Sequence, residues 1–261
     1  MSALEAILLG FIQGATEFLP VSSSGHLVIG QRLLSLDLPG VTFEVAVHVA
    51  TLLSIVMVYR ERLMDLLRGV LQGDRDAFKF VLLVVVATIP AGLVGVFLGD
   101  FVESLFDDPR VTGVALLATG TFLWTTRSAI ARGEDRSVTW AMAVLIGLAQ
   151  AFAIIPGISR SGATFTAAVW LGVRPERAAE FAFIMAVPAI AGAGVLQAGE
   201  LGDGMTMAGS TLLLGGIAAA VTGVLAIRLF LVLLERKAFH RFALYCWAVG
   251  LLFLASLTFG S

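Results

Sequence analysis

The chain has 261 residues, of which 58% are apolar and 14% are charged; its mean hydropathy is +0.96 and its formal net charge is −2. Soluble domains contain roughly 45–50% apolar and 25% charged residues, so this composition leaves too little polar surface for a soluble fold. The single cysteine, Cys246, excludes an intrachain disulfide and a cysteine-based zinc site. Because the first Lys or Arg is Arg32, the apolar start lacks a basic signal-peptide region, and we expect it to remain in the mature protein.

Six apolar runs are long enough, or nearly so, to cross a bilayer as helices, which takes about 17–25 residues each. In chain order they are residues 43–59, 79–101, 111–126, 178–198, 209–233 and 242–259. Polar clusters at 60–76, 103–110, 127–136 and 235–241 connect them. The sequence therefore predicts an all-α polytopic membrane protein with six full spans.

Two further apolar stretches, 4–34 and 138–173, are each interrupted by a polar loop. In both, a proline ends a first helix and a Ser/Gly segment starts a shorter second one. Each arm has about 10–17 residues, which is short for a full span. We therefore predict two re-entrant helical hairpins, whose irregular loops need protein or a wet cavity around them.

The two broken stretches resemble each other at an offset of 137 residues. The identical pairs are Ala6/Ala143, Gly10/Gly147, Gln13/Gln150, Ser22/Ser159, Ser24/Ser161 and Gly25/Gly162. The match continues at an offset of 136 in Glu44/Glu180, Ala46/Ala182 and Ala50/Ala186. The chain is thus predicted to contain two repeats, residues 1–137 and 138–261, each with one hairpin and three spans.

Three spans per repeat place the second repeat on the opposite side of the membrane from the first, so the repeats are inverted and their loops meet near the midplane. In this arrangement thirteen loop Lys and Arg residues lie on one side, and only Arg32 and Arg110 lie on the other. The thirteen are Arg60, Arg62, Arg68, Arg75, Lys79, Arg127, Arg132, Arg136, Arg174, Arg177, Arg236, Lys237 and Arg241. That bias predicts an outward position for both termini and the first hairpin.

The first hairpin carries the first group of candidate functional residues. Gln13 and Glu17 share a helix face, and a carboxylate at membrane depth costs at least ~2.5–3.5 kcal/mol unless it is paired, hydrated or bound to metal. Residues 22–26 add three serines, Gly25 and His26 before a helix start, where backbone N–H groups attract anions. His26 is a candidate general acid or base, with capping or a solvated position as the alternative.

The matching loop of the second hairpin contains Arg160, whose planar guanidinium suits phosphate oxygens. Its neighbours repeat the anion-binding pattern: Ser159, Ser161, Gly162 and Thr164. A structural salt bridge from Arg160 to Glu17 is the alternative, and the inverted geometry brings these two side chains together in either case. For Glu44, Glu180 and His48 we favour packing or interfacial roles.

Residues 13–26 (QGATEFLPVSSSGH) and 156–164 (PGISRSGAT) resemble the two signatures of the undecaprenyl-diphosphatase family, the bacitracin-resistance phosphatases. The resemblance covers essentially the whole chain, including its length and the order of its spans. It implies hydrolysis of a polyprenyl diphosphate to the monophosphate plus inorganic phosphate, in recycling of the cell-wall lipid carrier. It also implies a divalent cation, Mg²⁺ or Ca²⁺, with Glu17 and Gln13 as metal ligands; Gln13 takes the position where the family has Glu or Gln.

In this interpretation the catalytic residues are Glu17, Ser23, His26 and Arg160, with Ser23 as nucleophile and His26 assisting proton transfer. The phosphate-binding residues are Ser22, Ser24, Gly25, Ser159, Ser161 and Thr164. A metal-bound water in place of Ser23 stays open. So do a transporter or flippase of a lipid-linked phosphate, which also uses inverted repeats, and a non-catalytic scaffold. The expected partners are the lipid substrate and membrane lipids of the plasma membrane, with no nucleic acid; a homodimer is left open.

Overall fold

The computed structural model describes residues 1–36, 42–132, 134–197, 208–236 and 238–259, and within these ranges the regular structure is helical apart from one isolated bridge between Arg136 and Val173. The helices are α1 Ala3–Glu17, α2 Ser23–Leu33, α3 Thr42–Leu71, α4 Arg75–Phe97, α5 Gly99–Asp107, α6 Pro109–Ala131, α7 Trp140–Phe152, α8 Arg160–Trp170, α9 Pro175–Gln197, α10 Gly209–Glu235 and α11 Phe242–Phe259. A 3₁₀ turn, Phe239–Arg241, precedes α11. The prediction of an all-α chain is confirmed for the described residues.

Five stretches are long and apolar enough to cross a membrane: Phe43–Leu71, Arg75–Phe97, Pro175–Leu196, Gly209–Glu235 and Phe239–Thr258. They make the chain a multi-pass membrane protein. The sixth predicted span, 111–126, forms α6 but does not reach the same hydropathy. Its threonines Thr112, Thr119 and Thr126 are buried, because α6 packs against both α8 and α11.

Two predicted connections are helical. Helix α3 continues beyond residue 59 to Leu71 after a kink at Tyr59, where φ is −102° and ψ is 17°. The basic residues that follow the kink therefore project from helix turns and not from a loop. The acidic segment after α4 forms α5, which buries no residue and exposes Phe101 and Phe106.

Both broken stretches form a helix, a loop and a shorter helix, as predicted. Helices α1 and α7 have 15 and 13 residues, or about 20–22 Å at 1.5 Å per residue, which is shorter than the ~30 Å hydrocarbon core. Helices α2 and α8 start at equivalent caps. The hydroxyl of Ser22 accepts from the Gly25 N–H at 3.2 Å, and that of Ser159 accepts from the Gly162 N–H at 3.1 Å.

Small residues bring the first arm of each hairpin against a helix of the other half of the chain. Helix α1 lies along α10, and a Cβ at Gly10 or Gly14 would come within 2.1 Å of a backbone oxygen of α10. Helix α7 lies along α4, where a Cβ at Gly147 would lie 2.4 Å from the Ala87 oxygen. Close backbone approach of this kind is typical of membrane helix pairs. It fixes where each hairpin arm lies along its partner helix.

Candidate active site

Glu17, the last residue of α1, is the centre of a buried polar cluster and is only 6% exposed. Gln13, one turn earlier, donates from Nε2 to Glu17 Oε2 at 2.9 Å. Ser23, the first residue of α2, donates from Oγ to the same oxygen at 2.5 Å. The hairpin therefore folds its second helix back so that a hydroxyl lies against the carboxylate.

Arg160, the first residue of α8, completes the cluster from the other hairpin. Its Nη2 donates to Glu17 Oε1 at 2.6 Å, and its side chain is 17% exposed. A buried carboxylate and a buried guanidinium each cost several kcal/mol alone, so the two charges make each other tolerable at this depth. The predicted meeting of these two side chains is confirmed.

Hydrogen bonds between serine hydroxyls and backbone groups also join the two hairpin loops. The Gly157 N–H donates to Ser24 Oγ at 3.4 Å, and Ser161 Oγ donates to the Leu19 carbonyl at 3.1 Å. A Cβ at Gly25 would lie 3.3 Å from the Gly157 Cα, so a side chain there would press on the opposite loop. The glycine at this position of the first signature thus serves the contact between the loops.

Serine hydroxyls pair in the same way in both loops. Ser22 and Ser24 are 3.2 Å apart between their Oγ atoms, and so are Ser159 and Ser161. Because the first residues of α2 and α8 both contact Glu17, the N-termini of two helices point toward one place. Helix N-termini carry unpaired N–H groups and a partial positive charge, so this place is suited to an anion.

Ser22 has a positive φ of 69°, which is uncommon for a residue with a side chain. Two contacts hold it in this conformation: its Oγ accepts from the Gly25 N–H, and its carbonyl accepts from His26 Nδ1 at 2.7 Å. Backbone strain of this kind costs on the order of 1–3 kcal/mol and is concentrated at functional sites. Thr164, in contrast, donates its hydroxyl to the Arg160 carbonyl at 2.8 Å and supports the first turn of α8.

His26 lies beside the cluster but not in it. No hydrogen bond or ion pair among the described residues joins it to Glu17 or Ser23. Its Nε2 lies 2.8 Å from the hydroxyl of Tyr245 on α11. The sequence analysis did not identify Tyr245, because it lies in an apolar span with no polar motif around it.

His48 also lies next to Glu17, a contact that the sequence did not predict; its packing or interfacial role stays a prediction. Its Nε2 is 3.6 Å from Glu17 Oε2, while its Nδ1 donates to the Glu44 carbonyl at 2.8 Å. The other two residues of that prediction lie outside the cluster: Glu44 accepts from Gln31 at 2.5 Å, and Glu180 accepts from Arg62 at 2.6 Å. The four-residue spacing from Glu44 was the only sequence signal for His48.

Thr119 of α6 supports the second loop and was also missed. Its Oγ1 donates to the Gly157 carbonyl at 2.9 Å and accepts from the Ser159 N–H at 3.2 Å. This hydroxyl therefore fixes the backbone immediately before Arg160. No sequence pattern distinguished it from the other threonines of α6.

The cluster offers few groups for a cation. No set of three or more His, Cys, Asp or Glu side chains that could hold a metal is present among the described residues. Two oxygen donors belong to neighbouring side chains of α1, the Glu17 carboxylate and Gln13 Oε1. The Gln13 amide nitrogen faces the carboxylate, and its Oε1 is buried without a hydrogen-bond partner among the described residues. Mg²⁺ is commonly bound through one or two carboxylates plus oxygens of a phosphate ligand. The residues present therefore fit a divalent cation whose remaining ligands come from a bound phosphate or water.

Comparison with known proteins gives the family. The model of the family described as bacitracin resistance protein BacA matches residues 6–252. A relative from Rubrobacter xylanophilus, named undecaprenyl-diphosphatase, is 42% identical over 271 residues, which cover 98% of this chain and 99% of the relative. Relatives of the same name from Salinibacter ruber and Desulfatibacillum aliphaticivorans are 41% and 39% identical, each over 96% of this chain and 97% of the relative. Both hairpins and the spans between them lie inside these matches, and the chain belongs to the family of bacitracin resistance protein BacA.

Proposed function

We propose that this protein is an undecaprenyl-diphosphatase, which hydrolyses undecaprenyl diphosphate to undecaprenyl monophosphate and inorganic phosphate within the membrane. The names of its relatives support this activity. The observation that carries it is the Ser23 hydroxyl bonded to a buried Glu17, with Arg160 on the other carboxylate oxygen. The nucleophile Ser23, the base Glu17 and the phosphate-binding guanidinium of Arg160 therefore lie together.

In the first half of the proposed reaction Ser23 attacks the terminal phosphorus of the diphosphate. The Oγ proton passes to Glu17 Oε2, which already accepts its hydrogen bond. The bond from the terminal phosphorus to the bridging oxygen breaks, and the monophosphate leaves with the bridging oxygen. In the second half water attacks the phosphoserine, inorganic phosphate departs, and Ser23 regains its proton.

Charge stabilisation is the larger part of the work, because phosphoryl transfer needs positioning and electrostatics more than covalent help. Arg160 and the N–H groups at the starts of α2 and α8 would neutralise the phosphoryl oxygens. Arg160 is held by Glu17, and Thr119 holds the backbone next to it. These phosphate-binding groups are therefore in position before the substrate binds, and the protein does not need to rearrange during the chemical step.

We further propose that a divalent cation, Mg²⁺ or Ca²⁺, takes part. The Glu17 carboxylate and Gln13 Oε1 would hold it, with diphosphate oxygens completing its coordination. When bound it would supply further neutralisation of phosphoryl and leaving-group charge. Gln13 would then have two tasks: its Nε2 donates to Glu17, and its otherwise unpaired Oε1 would be available to hold the cation.

His26 keeps a role in proton transfer in this proposal, with a change from the sequence-based one. It makes no hydrogen bond to Ser23 in the described part of the chain, whereas the Ser23 hydroxyl donates to Glu17, so Glu17 is the base for the attacking hydroxyl. The imidazole could then donate a proton to the leaving group or accept one from the attacking water. It lies three residues after Ser23, in the first turn of α2.

The proposed architecture is two inverted repeats, residues 1–137 and 138–261, with six spans and two re-entrant hairpins in the plasma membrane. Three equivalences between the halves support it: α1 lies along α10 as α7 lies along α4, Gly10 and Gly147 make the close approaches, and the two serine caps are alike. The bias of loop charge supports outward termini and an outward first hairpin. A homodimer stays a prediction.

The transporter alternative is weaker. A carrier needs groups that bind a phosphate and release it, and Arg160 with the loop N–H groups would suffice for that. It has no use for a serine hydroxyl held against a buried carboxylate at 2.5 Å. That contact is the arrangement of an activated nucleophile, and it favours the enzyme.

The test is phosphate release from undecaprenyl diphosphate by the purified protein, with and without EDTA. Turnover should depend on the cation and should be lost in Glu17→Gln, which keeps the shape of the side chain but removes its charge. Glu44→Gln is the matched control, since that carboxylate accepts from Gln31 outside the cluster. Full activity of Glu17→Gln, or none in the wild type with cation present, would exclude this mechanism.

A further inference from the structure

The imidazole of His26 is held at both ring nitrogens. Its Nδ1 lies 2.7 Å from the Ser22 carbonyl, which can only accept, so Nδ1 carries a hydrogen. In the neutral ring Nε2 is then the free acceptor. The Tyr245 hydroxyl lies 2.8 Å from Nε2 and therefore donates to it.

Tyr245 also fixes the plane of the ring. The two ring planes are within 6° of parallel and their centroids are 5.6 Å apart. Rotation of the imidazole about its χ2 angle would break both hydrogen bonds. Tyr245 comes from α11, 219 positions away in the chain, so the contact ties the active-site turn of α2 to the last helix.

The pair of rings opens into a cavity of about 580 Å³ between α1 and α11. Its other walls are mainly apolar and include Phe11, Ile12, Leu19, Leu233 and Phe242. The Tyr245 hydroxyl makes the one hydrogen bond of Nε2 within the described part of the chain. The orientation of that nitrogen therefore depends on this tyrosine together with the Ser22 carbonyl at Nδ1.

We propose that Tyr245 is a positioning residue for the phosphatase reaction: the Ser22 carbonyl sets the Nδ1–H tautomer of His26, and Tyr245 holds the ring with Nε2 directed for proton transfer. The inference rests on the proposed function, because it needs His26 to move a proton. It goes beyond the serine, carboxylate and arginine of the cluster, since within the described residues Tyr245 hydrogen-bonds to His26 and to none of those three. It acts through the imidazole alone.

The test compares Tyr245→Phe with Tyr59→Phe, which makes the same change at the chain's other tyrosine. Loss of one neutral hydrogen bond corresponds to about a 2- to 10-fold change in rate. Tyr245→Phe should lower kcat for undecaprenyl diphosphate by that factor and leave KM within about twofold. Tyr59→Phe should leave both constants unchanged, because Tyr59 lies against Phe183 and has no contact with His26.

A double-mutant cycle separates positioning from packing. If Tyr245 works through the imidazole, adding Tyr245→Phe to His26→Ala should cause no further loss of kcat. If it only packs α11 against α2, the two losses should multiply. Thermal unfolding in detergent, recorded for each variant, identifies any that is misfolded; Tyr245→Leu, which also removes the hydroxyl, replaces a misfolded Tyr245→Phe, and His26→Gln replaces a misfolded His26→Ala.

Three results would overturn the inference: unchanged kcat in Tyr245→Phe, multiplying losses in the cycle, or full activity of His26→Ala. An inactive wild type would overturn the proposed function as well. If the wild type is active and Tyr245→Phe has the same kcat, this inference alone is overturned.

Discussion

Ser23→Ala separates a serine nucleophile from a metal-activated water. The substitution removes the hydroxyl that donates to Glu17 Oε2 at 2.5 Å. The carboxylate keeps its hydrogen bonds from Gln13 at 2.9 Å and Arg160 at 2.6 Å, so its charge remains paired. Alanine is also well suited to the first turn of a helix. We therefore expect the variant to fold, with a loss of unfolding free energy of roughly 1.5–3 kcal/mol, the range for a hydrogen bond to a charged group.

The two mechanisms predict different losses of turnover. Removing a covalent nucleophile costs on the order of 10⁴–10⁶ in kcat. If water attacks directly, Ser23 contributes only a hydrogen bond to a charged group, roughly 1.5–3 kcal/mol, which is about 10- to 100-fold. The gap between these ranges is wide enough for one assay to decide.

The assay is phosphate release at saturating undecaprenyl diphosphate, with substrate labelled in the terminal phosphate for acid trapping of a phosphoserine. Ser24→Ala is the matched control: its Oγ lies near Ser22 Oγ and accepts from the Gly157 N–H, but it does not contact Glu17. It should lose less than about tenfold, as expected for one neutral hydrogen bond. If Ser23→Ala keeps more than a few per cent of wild-type turnover, or no labelled protein is trapped, the nucleophile is not Ser23.

Three other changes test the rest of the site and the fold. Arg160→Lys should fail nearly as badly as Arg160→Ala in the same assay, because a point charge cannot replace a planar fork across two oxygens; substantial activity of the lysine variant would contradict the bidentate role. Gly14→Ala should lower the unfolding temperature in detergent, since its Cβ would lie 2.1 Å from a backbone oxygen of α10, whereas Gly92→Ala, with nothing within 4 Å, should be neutral or slightly stabilising. A cysteine at Ser2, in a protein whose native cysteine is replaced, should react with an impermeant thiol reagent on intact cells; labelling only after lysis would reverse the orientation.

The hairpins were predictable because their signals are local. Proline, glycine and serine clusters interrupt both apolar stretches, and they limit the arms to lengths that cannot span. The contact between Glu17 and Arg160 was predicted from the resemblance between residues 6–25 and 143–162, since an inverted repeat would bring equivalent loops together. In each case the necessary information lies within about 25 residues or in a comparison of two such segments.

The partners that were missed come from distant helices. His48 reaches Glu17 from α3, Tyr245 reaches His26 from α11, and Thr119 holds the second loop from α6. Apolar periodicity indicates that such residues face protein, but not which helix they face. That choice depends on packing, such as the close approaches at Gly10 and Gly147, which a single sequence does not reveal.

The surroundings of α6 were not predictable from hydropathy. An apolar run predicts a span but not its neighbours, and this helix carries buried threonines and lies against α8 and α11. A helix enclosed by protein can carry polar side chains that a lipid-facing helix cannot. Its threonines are therefore consistent with its place beside the loops, where one of them, Thr119, orders the backbone at Ser159.

The side chains that hold the hairpin loops together are in large part those proposed to do the chemistry. Glu17 and Arg160 join the two hairpins, and removing one partner of a buried ion pair costs about 3–5 kcal/mol because the other charge is left unpaired. Loss of activity in variants of either residue therefore combines a chemical effect with a structural one. Ser23 lacks this double role, since its hydroxyl contacts only its own hairpin. For this reason the activity of Ser23 variants is the better test of the mechanism. The stability of Glu17 and Arg160 variants is the better measure of how the two hairpins are held together.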